Sequence, residues 1–172
     1  MWVFLCYNEY MQWDLITNII LIAALAILAV FALLGLFQWI TRKSLKKVDR
    51  SLLMFPIPLV LMAIVYFVFD KLIVLNTRPN GSGEPSFPST HVMVTATIFL
   101  MAAIIIPRYI KSKTMIIILD ILMLALIVLV SVGRVLANMH WPTDIAGGLG
   151  FALLFAVIYY FLINFSKKEQ NE

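Results

Sequence analysis

The chain has 172 residues, is 63% hydrophobic and has a mean hydropathy of +0.99, well above the roughly half-apolar composition of a soluble domain. The apolar residues fall in long blocks, which excludes a soluble or disordered chain and predicts one all-α, polytopic membrane domain spanning residues 1–172. The net charge of +4 says less than the positions of the charges, and the single cysteine, Cys6, excludes an internal disulfide.

The N-terminal MWVFLCYNEYMQWD has no basic residue and no small-residue cleavage site, so no cleavable signal peptide is expected. Its mixture of Trp2, Phe4, Tyr7 and Trp13 with Glu9 and Asp14 predicts a short interfacial segment at the membrane surface. Five spanning helices follow: about Leu15 to Ile40, Leu52 to Leu75 with Pro56 and Pro58 near its start, His91 to Ile106, Thr114 to Leu136 and Pro142 to Phe165. The third is short and stops at Pro107. Ala146, Gly147 and Gly150 predict close helix packing in the fifth. Trp39, Tyr109, Tyr159 and Tyr160 suit one interfacial aromatic belt, and Trp13 and Trp141 the other.

The connections divide by charge. TRKSLKKVDRS, PRYIKSK and the tail SKKEQNE fall on one side and carry ten of the 13 cations: Arg42, Lys43, Lys46, Lys47, Arg50, Arg108, Lys111, Lys113, Lys167 and Lys168. The remaining three, Lys71, Arg78 and Arg134, fall on the other side with both histidines. Positive loops stay in the cytoplasm, so the C-terminus is expected inside and the N-terminus outside. The loop NTRPNGSGEPSFPST and the stretch around His140 then face out. Three cations against the positive-inside bias need another reason, and ionisable groups at membrane depth are usually functional. Glu84 reads as a solvated loop residue, and Asp120, about two turns inside the fourth span, calls for a partner on a neighbouring helix.

Phosphate chemistry gives that reason. Lys71, Arg78 and Arg134 can clamp non-bridging oxygens. Ser89 and Thr90 precede an apolar run and read as a helix start, which favours an anion. His140 can attack phosphorus, and a carboxylate can steady the cation that forms. Pro142 fits a first helical position, which puts Asp144 at the third, where a side chain reaches back towards His140. His91 can protonate a leaving oxygen and then activate water. His91, His140 and Asp144 are also a zinc-type donor set, although three cations nearby would repel the metal.

Lys71 with Arg78-Pro79, then Pro88-Ser89-Thr90-His91, then Arg134 with His140 and Asp144 together resemble the three-part signature of the type 2 phosphatidic acid phosphatase superfamily. That signature reads K-x6-R-P, P-S-G-H and S-R-x5-H-x3-D. The resemblance implies a metal-independent, cofactor-free phosphatase working through a phosphohistidine. In it His140 is the nucleophile, Asp144 its partner and His91 the acid and base. Lys71, Arg78, Ser89, Thr90 and Arg134 hold the phosphate. Two positions depart from the signature: Thr90 replaces Gly, and Gly133 replaces the Ser before the Arg. Many members have six spans, and the surface-lying N-terminus would stand in for the missing one. The expected partners are a lipid phosphate or pyrophosphate and membrane lipids, with no nucleic acid; oligomeric state stays open. A lipid phosphotransferase with the same site, and a non-enzymatic lipid-phosphate transporter or binder, are the alternatives.

Overall fold

The computed structural model describes residues 2–164, with side chains from Glu9 onward. Lys167, Lys168, the rest of the tail, Phe165 and the side chains of Trp2, Phe4, Cys6 and Tyr7 lie outside that description. The described residues form six α-helices: α1 (Trp2–Arg42), α2 (Arg50–Met54), α3 (Pro56–Phe67), α4 (Thr90–Ile105), α5 (Lys113–Leu136) and α6 (Pro142–Asn164). α2 and α3 run on through Phe55, which keeps helical dihedrals, and then through a π-helical turn, Val68–Leu72. Among the described residues, five segments are therefore long and apolar enough to cross a membrane.

The N-terminus corrects one expectation. Its residues form no separate surface segment; they are the opening turns of the 41-residue α1. At 1.5 Å per residue that helix is about 60 Å long, twice a ~30 Å hydrocarbon core. Leucines, isoleucines and phenylalanines stay exposed along α1 and α5, among them Ile22, Phe37, Ile121 and Leu124. Lipid is as apolar as a protein interior, so such faces are stable there.

α4 is the central helix, packed by α6, α5, α1 and α3. Val92, Met93, Ala96, Ile98, Met101, Ala102 and Ile105 on it are fully buried. Most of the surface of α4 therefore meets protein rather than lipid. α6 approaches it most closely at its first turns. A Cβ on Gly148 would stand 2.9 Å from the Ser89 carbonyl oxygen, and one on Gly147 would strike the Phe87 ring. Ala146 is exposed and a Cβ on Gly150 would meet nothing, so of the three expected small residues Gly147 makes a close contact, and Gly148 adds another.

The two ends of the bundle differ. At one end Asp49 accepts from Gln38 and from Tyr109 Oη (2.8 and 2.9 Å), and Arg50 Nε donates to the Leu162 carbonyl. Arg42 donates to the Lys47 carbonyl. Tyr159 is no belt residue: it is buried against Phe55 and donates to the Ser51 carbonyl at 2.7 Å. Trp39, Tyr109, Tyr160 and Trp141 are exposed, as a belt requires. At the other end the loop between the π-helical turn and α4 folds over the start of α6, with Trp141 Nε1 donating to the Thr77 carbonyl at 2.9 Å. Glu84 in that loop is paired with Arg78 at 2.9 Å rather than merely solvated. Asp120 lacks the partner expected for it: its Oδ1 is buried and makes no hydrogen bond, and the structure offers no account of it.

Candidate active site

The site begins where α5 stops. Asn138 takes a left-handed conformation (φ 54°), and the Met139 and Asn138 amides close back on the carbonyls of Arg134 and Val135 at 3.2 and 2.9 Å. This is the hydrogen-bond pattern of a Schellman end, in which one left-handed residue reverses the chain. It leaves Arg134 in the last turn of α5 and delivers His140 just before α6. Pro142 opens α6, and Asp144 at its third position reaches back, Oδ2 accepting from the Trp141 amide at 2.8 Å. The same oxygen lies 3.6 Å from His140 Nδ1. Asn76 Nδ2 donates to the other carboxylate oxygen at 3.4 Å, and the Ser89 amide donates to the Asp144 carbonyl at 3.0 Å, which ties α6 to the start of α4.

His140 Nδ1 lies 2.9 Å from the Ser86 carbonyl oxygen. A carbonyl only accepts, so Nδ1 carries the proton and Nε2 carries a lone pair. Nε2 is buried and has no hydrogen-bond partner. Burial, then the Arg134 cation, push the His140 pKa down to about 4, against the Asp144 carboxylate, which pulls it up. The imidazole is therefore neutral, in one tautomer, with a free nitrogen facing a pocket.

That pocket, of about 80 Å³, is walled by Arg78, Ser86, Pro88, Thr90 and His140, with Tyr66, Asp70, Pro85 and Phe87 completing it. A single water needs about 10–15 Å³ of such space, so the pocket has room for a larger polar group such as a phosphate. Unpartnered polar atoms gather around it. Of the residues lining it, Arg78 Nε, Ser86 Oγ and His140 Nε2 are buried without a hydrogen-bond partner, as are Ser89 Oγ and Arg134 Nε on the elements that build it. Buried polar groups are rarely left so, and those lining the pocket suit it to a polar group. Ser89 occupies the cap position of α4, yet its hydroxyl makes no capping bond and stays free. An apolar groove of about 380 Å³ shares Tyr66 and Thr90 with the pocket and runs between α3 and α4 past Met62, Ala63, Met93 and Val94.

The expected residues are not all at the pocket. His140, Arg78 and Thr90 line it. His91, Ser89, Arg134 and Asp144 do not line it but belong to the elements that build it. Lys71 stands apart: 63% exposed, it is paired with Asp70 at 2.7 Å in the π-helical turn. Among the described residues, no three His, Cys, Asp or Glu side chains come together as a metal site.

Three neighbours of Arg134 and His91 were missed, all on α1. Arg134 Nη1 donates to Asp14 Oδ1 at 2.6 Å and lies 3.4 Å from Thr17 Oγ1. His91 Nε2 lies 2.7 Å from Asn18 Oδ1, and Asn18 Nδ2 donates to Asp14 Oδ2 at 3.1 Å. Asp14, Thr17 and Asn18 fall three and four apart on one face of an apolar helix, a spacing that the sequence displays and that surface placement of Asp14 obscured. The same contact accounts for Gly133. A Cβ there would lie 2.6 Å from the Thr17 methyl, so α1 packs where a serine side chain would stand, and Thr17 brings a hydroxyl to Arg134 in its place.

A helical membrane bundle whose loop end holds an anion-sized pocket, with an uncharged imidazole nitrogen beside Arg78, Ser86 and Thr90, defines the class. Comparison with known families gives the rest. The PAP2 superfamily model matches residues 65–168, more than half of the chain, and the chain belongs to that superfamily. The fold is also that of a solved Bacillus subtilis protein described as the first transmembrane PAP2 type phosphatidylglycerolphosphate phosphatase. The two share 22% identity with a TM-score of 0.65, over 92% of this chain and 77% of that one. No curated protein matches the chain in sequence.

Proposed function

We propose that this protein is a metal-independent membrane phosphatase that hydrolyses a lipid phosphate or pyrophosphate through a phosphohistidine at His140. The observation that carries the reading is the buried, unpartnered Nε2 of His140 in a pocket also lined by Arg78 and Ser86, whose Nε and Oγ are likewise unpartnered. Membership of the PAP2 superfamily supports it. Nε2 attacks phosphorus; the P–N bond forms as the bond to the leaving oxygen breaks, and His91, as imidazolium, gives that oxygen its proton. Asp144 steadies the charged phosphoimidazole. Water then attacks, losing a proton to His91, and the P–N bond breaks to release phosphate and neutral His140.

Arg78 and the hydroxyls lining the pocket, with Arg134 behind them, offset the phosphate charge in the place of a metal. Lys71 joins them by exchanging Asp70 for the more highly charged phosphate. The apolar groove meeting the pocket at Tyr66 and Thr90 suits a substrate with a hydrocarbon chain, in the class of undecaprenyl pyrophosphate, phosphatidylglycerophosphate and phosphatidic acid. Purified protein is expected to release phosphate from one or more of these in EDTA, and vanadate, a mimic of five-coordinate phosphorus, is expected to inhibit. Activity lost in EDTA and restored by zinc or magnesium would overturn the metal-free reading. Binding with no release from any of them would favour a binder or transporter, and transfer to an acceptor lipid a phosphotransferase.

The pocket faces out of the cell in this reading, because the described loops at the opposite end carry Arg42, Lys43, Lys46, Lys47, Arg108 and Lys111. In a chain with Cys6 replaced, a cysteine at Ser82 is expected to react with an impermeant thiol reagent in intact cells, and one at Ser44 is not. The reverse labelling would move the site to the cytoplasm.

A further inference from the structure

The family match begins at residue 65, whereas the side chains that hold His91 and Arg134 belong to α1. An aspartate at membrane depth is costly unless paired, and Asp14 uses both carboxylate oxygens, Oδ1 for Arg134 and Oδ2 for the Asn18 amide. Asn18 Oδ1 in turn faces His91 Nε2 at 2.7 Å. The result is one chain of contacts, His91–Asn18–Asp14–Arg134, running from α4 through α1 to α5. Thr17 completes the face: fully buried, it donates to the Asp14 carbonyl at 3.0 Å and fills the space beside Gly133.

An amide oxygen only accepts, so the proton at His91 Nε2 is committed to α1. Nδ1 is then the nitrogen left to exchange a proton with the reacting oxygens. Asp14 polarises the Asn18 amide by accepting from its NH₂, which strengthens Oδ1 as an acceptor. The same carboxylate fixes a guanidinium of the phosphate cradle, so one helix face sets both the proton donor and a cation.

We propose that Asn18, backed by Asp14, is a positioning residue for His91: it anchors Nε2–H and thereby presents Nδ1 to the leaving group. The inference rests on the reading of His91 as the proton donor, and the test separates the two. kcat and KM are measured for a lipid phosphate, whose alkoxide leaving group needs a proton, and for a nitrophenyl phosphate, whose leaving group does not. Asn18→Leu is expected to lower kcat on the lipid phosphate by about 10- to 100-fold, the scale on which loss of an imidazole's supporting partner acts. KM should stay nearly unchanged, and the loss on nitrophenyl phosphate should be several-fold smaller. In a His91→Ala background the same substitution is expected to add nothing. Asn18→Asp, which keeps an acceptor oxygen, should move the ratio of the two substrates back towards wild type. Asn18→Ala carries the comparison if the leucine variant fails to fold. Equal losses on both substrates, or a further loss in the His91→Ala background, overturn the proposal for Asn18 while His91→Ala still shows the leaving-group dependence. Equal losses in His91→Ala itself overturn the role of His91, and the role of Asn18 with it.

Discussion

Replacing His140 with alanine is expected to lower lipid phosphate turnover by roughly 10⁴-fold or more, the range over which loss of a covalent nucleophile acts. No other described side chain offers the pocket a nitrogen of this kind. His140 Nδ1–H is held by the Ser86 carbonyl, Nε2 has no partner, and burial with Arg134 nearby keeps the ring uncharged. The pH consequence follows from the direction of the shift. A lowered pKa disfavours imidazolium, so His140 stays neutral, and able to attack, until the pH falls to about 4. The acid limb of kcat/KM that belongs to His140 in the free enzyme should lie near there, not at the usual imidazole value of about 6.5. His140→Asn provides the structural control. It can still donate to Ser86, so its bundle should be intact, yet it has no nucleophilic nitrogen and should be as inactive as the alanine variant. Substantial turnover in either variant would remove His140 from the nucleophile's place.

His91→Ala is expected to bind substrate nearly normally and turn it over at least ~10²-fold more slowly, the scale of a lost general acid–base. Binding is spared because the unpartnered arginine and serine atoms around the pocket are untouched. The defect should shrink for nitrophenyl phosphate, whose leaving oxygen needs no proton, and a phosphoenzyme should then accumulate because water attack still lacks its base. Steady-state kinetics with both substrates checks this. A large rise in KM with kcat preserved would assign His91 to binding instead. Asp144→Asn is expected to fall between wild type and His140→Ala. It keeps the reach back to the Trp141 amide but loses the charge beside His140.

Much of this was legible before any coordinates. Five apolar blocks gave the spans, and the third is the buried centre of the bundle. Pro142 set the phase of α6, so Asp144 could be expected to reach back over the helix start, as it does. What the sequence withheld depends on how helices are rotated against each other. Gly148, rather than Gly150, meets α4 because of the face that α6 turns inward. Asp14 and Asn18 are neighbours of Arg134 and His91 only because α1 lies against α4 and α5, and nothing in their local sequence names either as a partner. Lys71 matches the signature in spacing, but the π-helical turn that carries it hands its ammonium to Asp70. Ser86 was invisible because it acts on His140 through its backbone carbonyl, an atom every residue has.

The central claim is a covalent bond between phosphorus and His140 Nε2. The most direct test mixes the purified protein with ³²P-labelled substrate in EDTA, quenches in alkaline denaturant and maps the labelled peptide. The label is predicted to be acid-labile and alkali-stable, on the peptide containing His140, absent from His140→Ala and more abundant in His91→Ala with nitrophenyl phosphate. A label that persists in His140→Ala but vanishes in His91→Ala would contradict the account, with the roles of the two histidines reversed.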